Sequence, residues 1–196
     1  MNKQAKVSGV VLAGGLARRM NKQDKGLVHF NNRAMITFAL QAIAPVVDEL
    51  FISANRNIEQ YQQFDYPVIS DARDDFAGPL AGVYAALCVC ANDILLVIPC
   101  DSPFITANGL QALIQEREHL QADIAVAFDG KRIHPVFMAI KSSLKHSLQD
   151  YLAQGERKID RWFERHNWVK VDYSANPEFF YNINTLEQLS DMADKQ

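Results

Sequence analysis

Between Leu12 and Gly26 the chain reads L-A-G-G-L-A-R-R-M-N-K-Q-D-K-G. Gly14 and Gly15 carry no side chains, so backbone N–H groups at that point can approach an anion closely. Arg18, Arg19, Lys22 and Lys25 place cations in the same loop. Taken together these residues suit a triphosphate. The loop is not a Walker A motif, because G-x-x-x-x-G-K-[ST] is absent, and it lacks the G-x-G-x-x-G of the dinucleotide fingerprint. A mononucleotide gripped by a flexible clamp fits better than either. The plainer reading of Arg18-Arg19 is a solvated surface pair.

A second candidate is Asp101, in the segment Pro99-Cys100-Asp101-Ser102-Pro103. A carboxylate facing a polyphosphate loop is a natural ligand for Mg²⁺, which takes one or two protein carboxylates and fills its shell with phosphate oxygens and water. The alternative is an aspartate that caps the following turn.

These residues need elements to position them. The pattern predicts strands at Val7–Ala13, Glu49–Ser53, Tyr66–Ser70, Asp93–Ile98, Asp123–Phe128, Val136–Ile140 and near Trp168–Asp172, with an extended stretch near Phe179–Ile183. Asp93–Ile98 has almost no polar residue, as a strand covered on both faces should. Helices are predicted at Met35–Val47, Asn57–Gln63, Pro79–Ala91, Thr106–Leu120, Lys141–Leu152, Arg157–Arg165 and from Thr185 onward. Pro79 suits a helix N-terminus, and Thr106 is a candidate cap. Asp129-Gly130 is a hairpin-type turn signal. Strands alternating with helices imply an α/β fold: a three-layer sandwich around a mostly parallel sheet. Ligands of such sheets bind beyond the carboxyl ends of the strands. The glycine-rich loop, Ala54-Asn55-Arg56, Asp71 and the Asp101 segment all follow predicted strands, so polar groups collect on one rim.

Composition narrows the class. The 196 residues are 48% hydrophobic and 22% charged, which excludes disordered and low-complexity architectures. No repeat or linker divides the chain, so residues 1–196 read as one domain. The 20 basic residues against 23 acidic ones argue against a broad nucleic-acid footprint. Cys88, Cys90 and Cys100 make an odd count, read as small buried hydrophobes in a reducing, cytoplasmic setting. Lys3 and Lys6 precede an apolar run, but it is short and runs into Gly14-Gly15 and two arginines, so it reads as a strand and not a signal peptide. No apolar stretch approaches the ~20 residues that span a bilayer. With no long exposed apolar segment, a monomer is the expectation.

The first loop, written L-A-G-G-x-A-R-R-M-x-x-x-D-K-G, resembles the nucleotidyltransferases of the molybdenum cofactor guanylyltransferase type. Further segments carry the resemblance in order along nearly the whole chain: A-N-R at Ala54–Arg56, G-P-L-A-G at Gly78–Gly82, P-C-D-S-P at Pro99–Pro103, D-G-x-x-x-H-P at Asp129–Pro135, Y-L-x-x-G-E-R-K at Tyr151–Lys158 and N-I-N-T at Asn182–Thr185. The first loop alone would indicate a broad superfamily; G-E-R-K and N-I-N-T narrow it. The resemblance implies a Rossmann-like nucleotidyltransferase fold and GMP transfer from GTP to molybdopterin bearing molybdenum, with pyrophosphate released.

It further implies that Leu12, Ala13 and Gly14 contact the nucleotide, that Gly15 and Arg19 shape the phosphate loop, that Lys25 binds phosphate, that Asp71 meets the guanosine part, and that Asp101 holds Mg²⁺. Arg19, Lys25 and Asp101 form the expected catalytic set. Asn55 joins the nucleotide-binding set, as do Gly78 and Gly82, which flank Pro79 where an anion can rest on free N–H groups; tight helix packing is the alternative for both glycines. The family often carries asparagine where this chain has Ser53, which is shorter but still donates and accepts. For the second substrate, Arg157 and Lys158 are candidates for its phosphate, His134 for a position at the cleft, and Asn182 and Asn184 for proximity to both substrates. Contact with other cofactor-biosynthesis or molybdoenzyme-maturation proteins is a further expectation.

The expected nucleophile, a phosphate monoester, has a second pKa near ~6 and is mostly dianionic at neutral pH. No general base is required, and the sequence offers no Ser-His-Asp or Cys-His grouping. Rival readings are a cytidylyltransferase acting on molybdopterin, a sugar-1-phosphate nucleotidylyltransferase, and a nucleotide-responsive binding protein without catalysis.

Overall fold

The computed structural model describes residues 5–13, 24–71 and 78–181. Strands β1 (Val7–Leu12), β4 (Glu49–Ser53), β5 (Val68–Ile69), β6 (Ile94–Pro99), β7 (Ile124–Phe128), β8 (Ile133–Lys141) and β9 (Trp168–Asp172) form one seven-stranded sheet in the order β5-β4-β1-β6-β8-β7-β9. Only β8 runs antiparallel to its neighbours. β1 is the pivot. It pairs in parallel with β4, Leu12 opposite Ser53, and with β6, Leu12 opposite Pro99. The chain builds outward from β1 to β4 and β5, then returns to lay β6 on the other side. The strand order therefore reverses between β1 and β6, where a crevice opens at the carboxyl ends.

Two apolar layers clamp the sheet. α1 (Met35–Ile43) and α4 (Ala107–His119) cover one face, burying Ile36, Leu40, Ile43, Leu110, Leu113 and Ile114 against Ile94, Leu96 and Ile98. α3 (Pro79–Val89), α5 (Lys145–Ala153) and α6 (Ile159–Phe163) cover the other, burying Leu80, Val83, Leu148, Tyr151 and Trp162 against Val10, Leu95 and Val97. Alternate residues of β6 thus serve opposite layers, which explains why its sequence is continuously apolar. α3 is buried from Leu80 to Leu87, in keeping with its alanine-rich, nearly charge-free sequence. No helix among the described residues is long and apolar enough to cross a membrane.

Most expected elements within the described residues are present with shifted ends, β8 running beyond Val136–Ile140 on both sides. Glu49–Ser53 and Trp168–Asp172 match their predicted spans. Thr106 caps α4, its hydroxyl oxygen accepting from the Gly109 N–H at 3.1 Å. Other expectations change. Lys141 ends β8 instead of starting a helix, because Ser142–Leu144 form a 3₁₀ turn before α5. Only Ile159–Phe163 of the stretch Arg157–Arg165 is helical. Phe179 and Phe180 belong to a 3₁₀ turn, Pro177–Phe180, started by proline, instead of an extended segment. The final helix from Thr185 lies outside the described residues.

A hairpin was not foreseen. β2 (His29–Phe30) and β3 (Arg33–Ala34) are joined by Asn31 and Asn32, at φ 47° and 61°. Two asparagines with positive φ make the primed turn that tight hairpins favour. The short helix α2 (Ile58–Gln62) follows β4 and sends Tyr61 into the core.

Leu96 is fully buried at the centre of the sheet. Leu96→Ala is expected to destabilise the fold by about 2–5 kcal/mol, measured as a shift in the urea unfolding midpoint at constant slope.

Candidate active site

The loops leaving the strands extend the ladder by one more hydrogen bond each before they diverge. Ala13 N–H donates to Ser53 O at 2.8 Å, Cys100 N–H to Leu12 O at 3.1 Å, and Ala54 N–H to Ile69 O at 2.9 Å. The rim is therefore fixed by backbone pairing, and its side chains project from defined points. Above it lies a cleft of about 600 Å³ lined by Leu12, Ala13, Lys25, Ser53, Asn55, Arg56, Asp71, Gly78, Pro79, Gly82, Pro99, Cys100, Asp101 and Val136. All of the nucleotide residues expected from the sequence that fall within the described residues meet there. Gly14, Gly15, Arg18, Arg19, Lys22, Asn182 and Asn184 lie outside the described residues.

Two polar pairs define the cleft. Lys25 Nζ donates to Asp101 Oδ2 at 3.0 Å, with the side chains 24% and 11% exposed. That degree of shielding strengthens the attraction beyond that of a surface pair. Asp101 follows β6 at the crevice, and Lys25 opens the 3₁₀ turn Lys25–Leu27. Near the other side of β1, Asn55 Nδ2 donates to Asp71 Oδ2 at 2.6 Å, and Asp71 N–H returns a bond to Asn55 Oδ1 at 2.8 Å. Burial pushes the Asp71 carboxyl above its usual value, and the Asn55 hydrogen bond opposes that shift. Asp71 is thus a poorly solvated acceptor, suited to a ligand that brings N–H or O–H donors.

The glycines divide by role. A Cβ on Gly82 would sit 2.5 Å from Ser53 Oγ and 3.0 Å from Leu12 Cδ2, so α3 packs onto the ends of β1 and β4 only because the residue is glycine. Close packing accounts for Gly82, which also brings the start of α3 to the cleft wall. Gly78 precedes α3 at φ 90°, and a Cβ there would meet nothing within 4 Å among the described residues. Its requirement is backbone conformation.

Asp24, the first residue of D-K-G, has a role that the motif itself does not disclose. It is 7% exposed and accepts from Gly26 N–H at 3.3 Å, Asn57 Nδ2 at 3.1 Å and the Tyr61 hydroxyl. Burial, aided by the bond to Asp24, pushes the Tyr61 phenol far above its ordinary range, so it stays protonated and donates. Arg56, Pro79, Pro99, Cys100 and Val136 also line the cleft beyond the expected site residues.

Of the residues expected for a second substrate, the described ones, His134, Arg157 and Lys158, lie outside this cleft lining. His134 is 8% exposed and does not line the cleft. Its Nε2 lies 2.7 Å from Asp129 Oδ2, and its ring stacks on Phe180 at 4.3 Å between centroids. It ties the β7–β8 turn to the Pro177–Phe180 turn. Arg157 donates to the carbonyls of Leu152 and Glu156 at 2.9 and 2.7 Å, and Lys158 is exposed as the N-cap of α6. Neither lines the cleft. Of the cysteines, all free thiols, Cys100 is buried as expected, whereas Cys90 is half-buried and Cys88 exposed. Cys88 lies in the last turn of α3, where the helix emerges from its layer.

Among the described residues no three His, Cys, Asp or Glu side chains converge as a metal cage. Asp101 is a shielded hard oxygen donor facing the cleft, and one such carboxylate matches a Mg²⁺ whose remaining ligands come from phosphate and water.

The chain's sequence was compared with known proteins. The MobA-like NTP transferase domain matches residues 9–171. The chain belongs to the MobA-like NTP transferase family. That membership makes it a nucleotidyltransferase. A protein of Shewanella halifaxensis named molybdenum cofactor guanylyltransferase is 45% identical over 184 residues, covering 94% of this chain and 92% of the relative. One of the same name from Shewanella loihica is 43% identical, covering 96% of each. Among solved structures, the molybdopterin-guanine dinucleotide biosynthesis protein A of Archaeoglobus fulgidus superposes with a TM-score of 0.80 over 96% of this chain and all of its own, at 24% identity. That likeness establishes a shared fold.

Asp129 offers a test of the rim. Its carboxylate accepts from the Lys131 and Arg132 N–H groups at 2.8 and 2.7 Å, and with His134 these hold its carboxyl well below the usual value. A depressed carboxyl stabilises the fold above its unfolded value, and that contribution is lost as pH falls through the folded value. Asp129→Asn is expected to be less stable than the parent at pH 7. The gap should narrow as pH drops below about 4, read from urea unfolding at each pH.

Proposed function

We propose that this chain transfers GMP from GTP to the terminal phosphate of molybdopterin bearing molybdenum, forming a molybdopterin guanine dinucleotide cofactor and releasing pyrophosphate. The observation that carries this reading is the Lys25–Asp101 pair at the β1/β6 crevice, facing the cleft that Asn55 and Asp71 also line. The names of the Shewanella relatives support the same nucleotide and acceptor.

In this reading GTP lies across the crevice. Leu12 and Ala13 meet the nucleotide, with Gly14, Gly15 and Arg19 as phosphate-loop residues. Asp71, steadied by Asn55, accepts hydrogen bonds from the guanosine part; guanine N1–H and its 2-amino group form a donor pair that adenine and cytosine lack. Ser53 lies on the cleft wall beside Gly82, where its hydroxyl is available to the base. Lys25 leaves Asp101 for the phosphates and stabilises charge gathering on the departing pyrophosphate. Asp101 would hold Mg²⁺, which when bound neutralises phosphate charge and fixes the oxygens in line. The acceptor phosphate is already dianionic, so the residues orient and stabilise, and none needs to remove a proton. Arg157, Lys158, Asn182 and Asn184 remain the proposed neighbours of the second substrate, and His134 contributes by bracing the rim.

The test is pyrophosphate release with Mg²⁺ across GTP, CTP, ATP and UTP, each with molybdopterin and with a panel of sugar 1-phosphates. Release only with GTP and molybdopterin is expected. Release with CTP or a sugar phosphate would transfer the function to another nucleotidyltransferase. Lys25→Ala and Asp101→Ala are each expected to lose about 10²–10³ in turnover while keeping the parent's circular dichroism spectrum. Near-normal turnover in either would remove that residue from the mechanism.

A further inference from the structure

Lys25 has a long, flexible side chain, and its placement against Asp101 depends on the turn that carries it. That turn is built on a buried carboxylate. Asp24 precedes Lys25 and is the N-cap of the Lys25–Leu27 turn. Its Oδ1 takes the Gly26 N–H and the Tyr61 hydroxyl, and its Oδ2 takes the Asn57 side-chain amide. Asn57 stands at φ 51° at the head of α2, and Tyr61 is fully buried within the same helix. The contact is tight: a Cβ on Gly26 would lie 2.5 Å from the Tyr61 hydroxyl oxygen. α2 follows directly on Asn55 and Arg56, which line the cleft. One carboxylate therefore pins the Lys25 turn to the segment that forms the opposite part of the site.

We infer that Asp24, Asn57 and Tyr61 are positioning residues that hold the Lys25 ammonium at the cleft for phosphate. The inference rests on the proposed role of Lys25 and extends it to residues that touch no substrate. A buried carboxylate with three donors is rigid, because releasing any one donor leaves a desolvated lone pair. Fixing the residue next to Lys25 limits the ammonium to a small arc that includes Asp101.

A double-mutant cycle tests this. Tyr61→Phe keeps the ring in the core and deletes only the hydroxyl; Asn57→Ala removes the other side-chain donor. In the full chain, each is expected to lower kcat/KM for GTP, read by pyrophosphate release, by about tenfold, since small misplacements of a catalytic group are costly. In a Lys25→Ala background the same substitutions should change kcat/KM by less than about twofold, the sites being coupled only through Lys25. Thermal unfolding and Mg²⁺-GTP binding are measured on every variant. The inference falls if Tyr61→Phe and Asn57→Ala leave turnover unchanged, or if they lower it by the same factor with and without Lys25. If Lys25→Ala itself retains turnover, the role proposed for Lys25 falls, and this inference with it. If Lys25→Ala is impaired but the cycle shows no coupling, only the inference falls.

Discussion

The reversal of strand order beside β1 is the constraint on which the rest depends. β1, β4 and β6 are covered on both faces and so have apolar side chains almost throughout. Polar chemistry can begin only where those strands end, and three parallel strands end together. Lys25, Asn55, Asp71 and Asp101 come from segments far apart in the chain, yet they reach one cleft because the sheet delivers them to one rim. Backbone bonds from Ala13, Ala54 and Cys100 carry the sheet's rigidity up to the first residues of those loops.

The sheet was legible in the sequence because burial on two faces leaves a strong signature, as in Ile94–Pro99, and because its turns carry marked chemistry, as at Asp129-Gly130. Alternation between layers needed no tertiary information. The rim residues were legible by position: each follows a predicted strand. What stayed hidden was whatever depends on distant partners. Asp24 reads as one more polar residue in a charged loop, since Asn57 and Tyr61, which define its role, are 33 and 37 residues away. The β2–β3 hairpin is too short for periodicity to register, and its only signal was the Asn31-Asn32 pair.

Misreadings have equally local causes. Cys88 sits in a sequence that is apolar on all sides, and nothing in composition marks the last turn of α3 as the place where cover ends. Phe179–Ile183 is rich in the aromatic residues that strands favour, but Pro177 starts a tight turn and Phe180 folds inward onto His134 and Phe137. That same stacking gives His134 a structural task that its place beside a predicted strand did not disclose.

Gly78 separates two demands that glycine usually meets together. No described residue would crowd a methyl group there, while the handedness of its backbone, φ 90° and ψ −178°, disfavours an L side chain. The mirror image of that conformation is ordinary extended backbone for an L-residue. A D-alanine introduced there by chemical ligation would sit in its own preferred basin. It would also stiffen the entry to α3 by removing conformations from the unfolded chain. The wall of the cleft at this point thus depends on the handedness of a single residue.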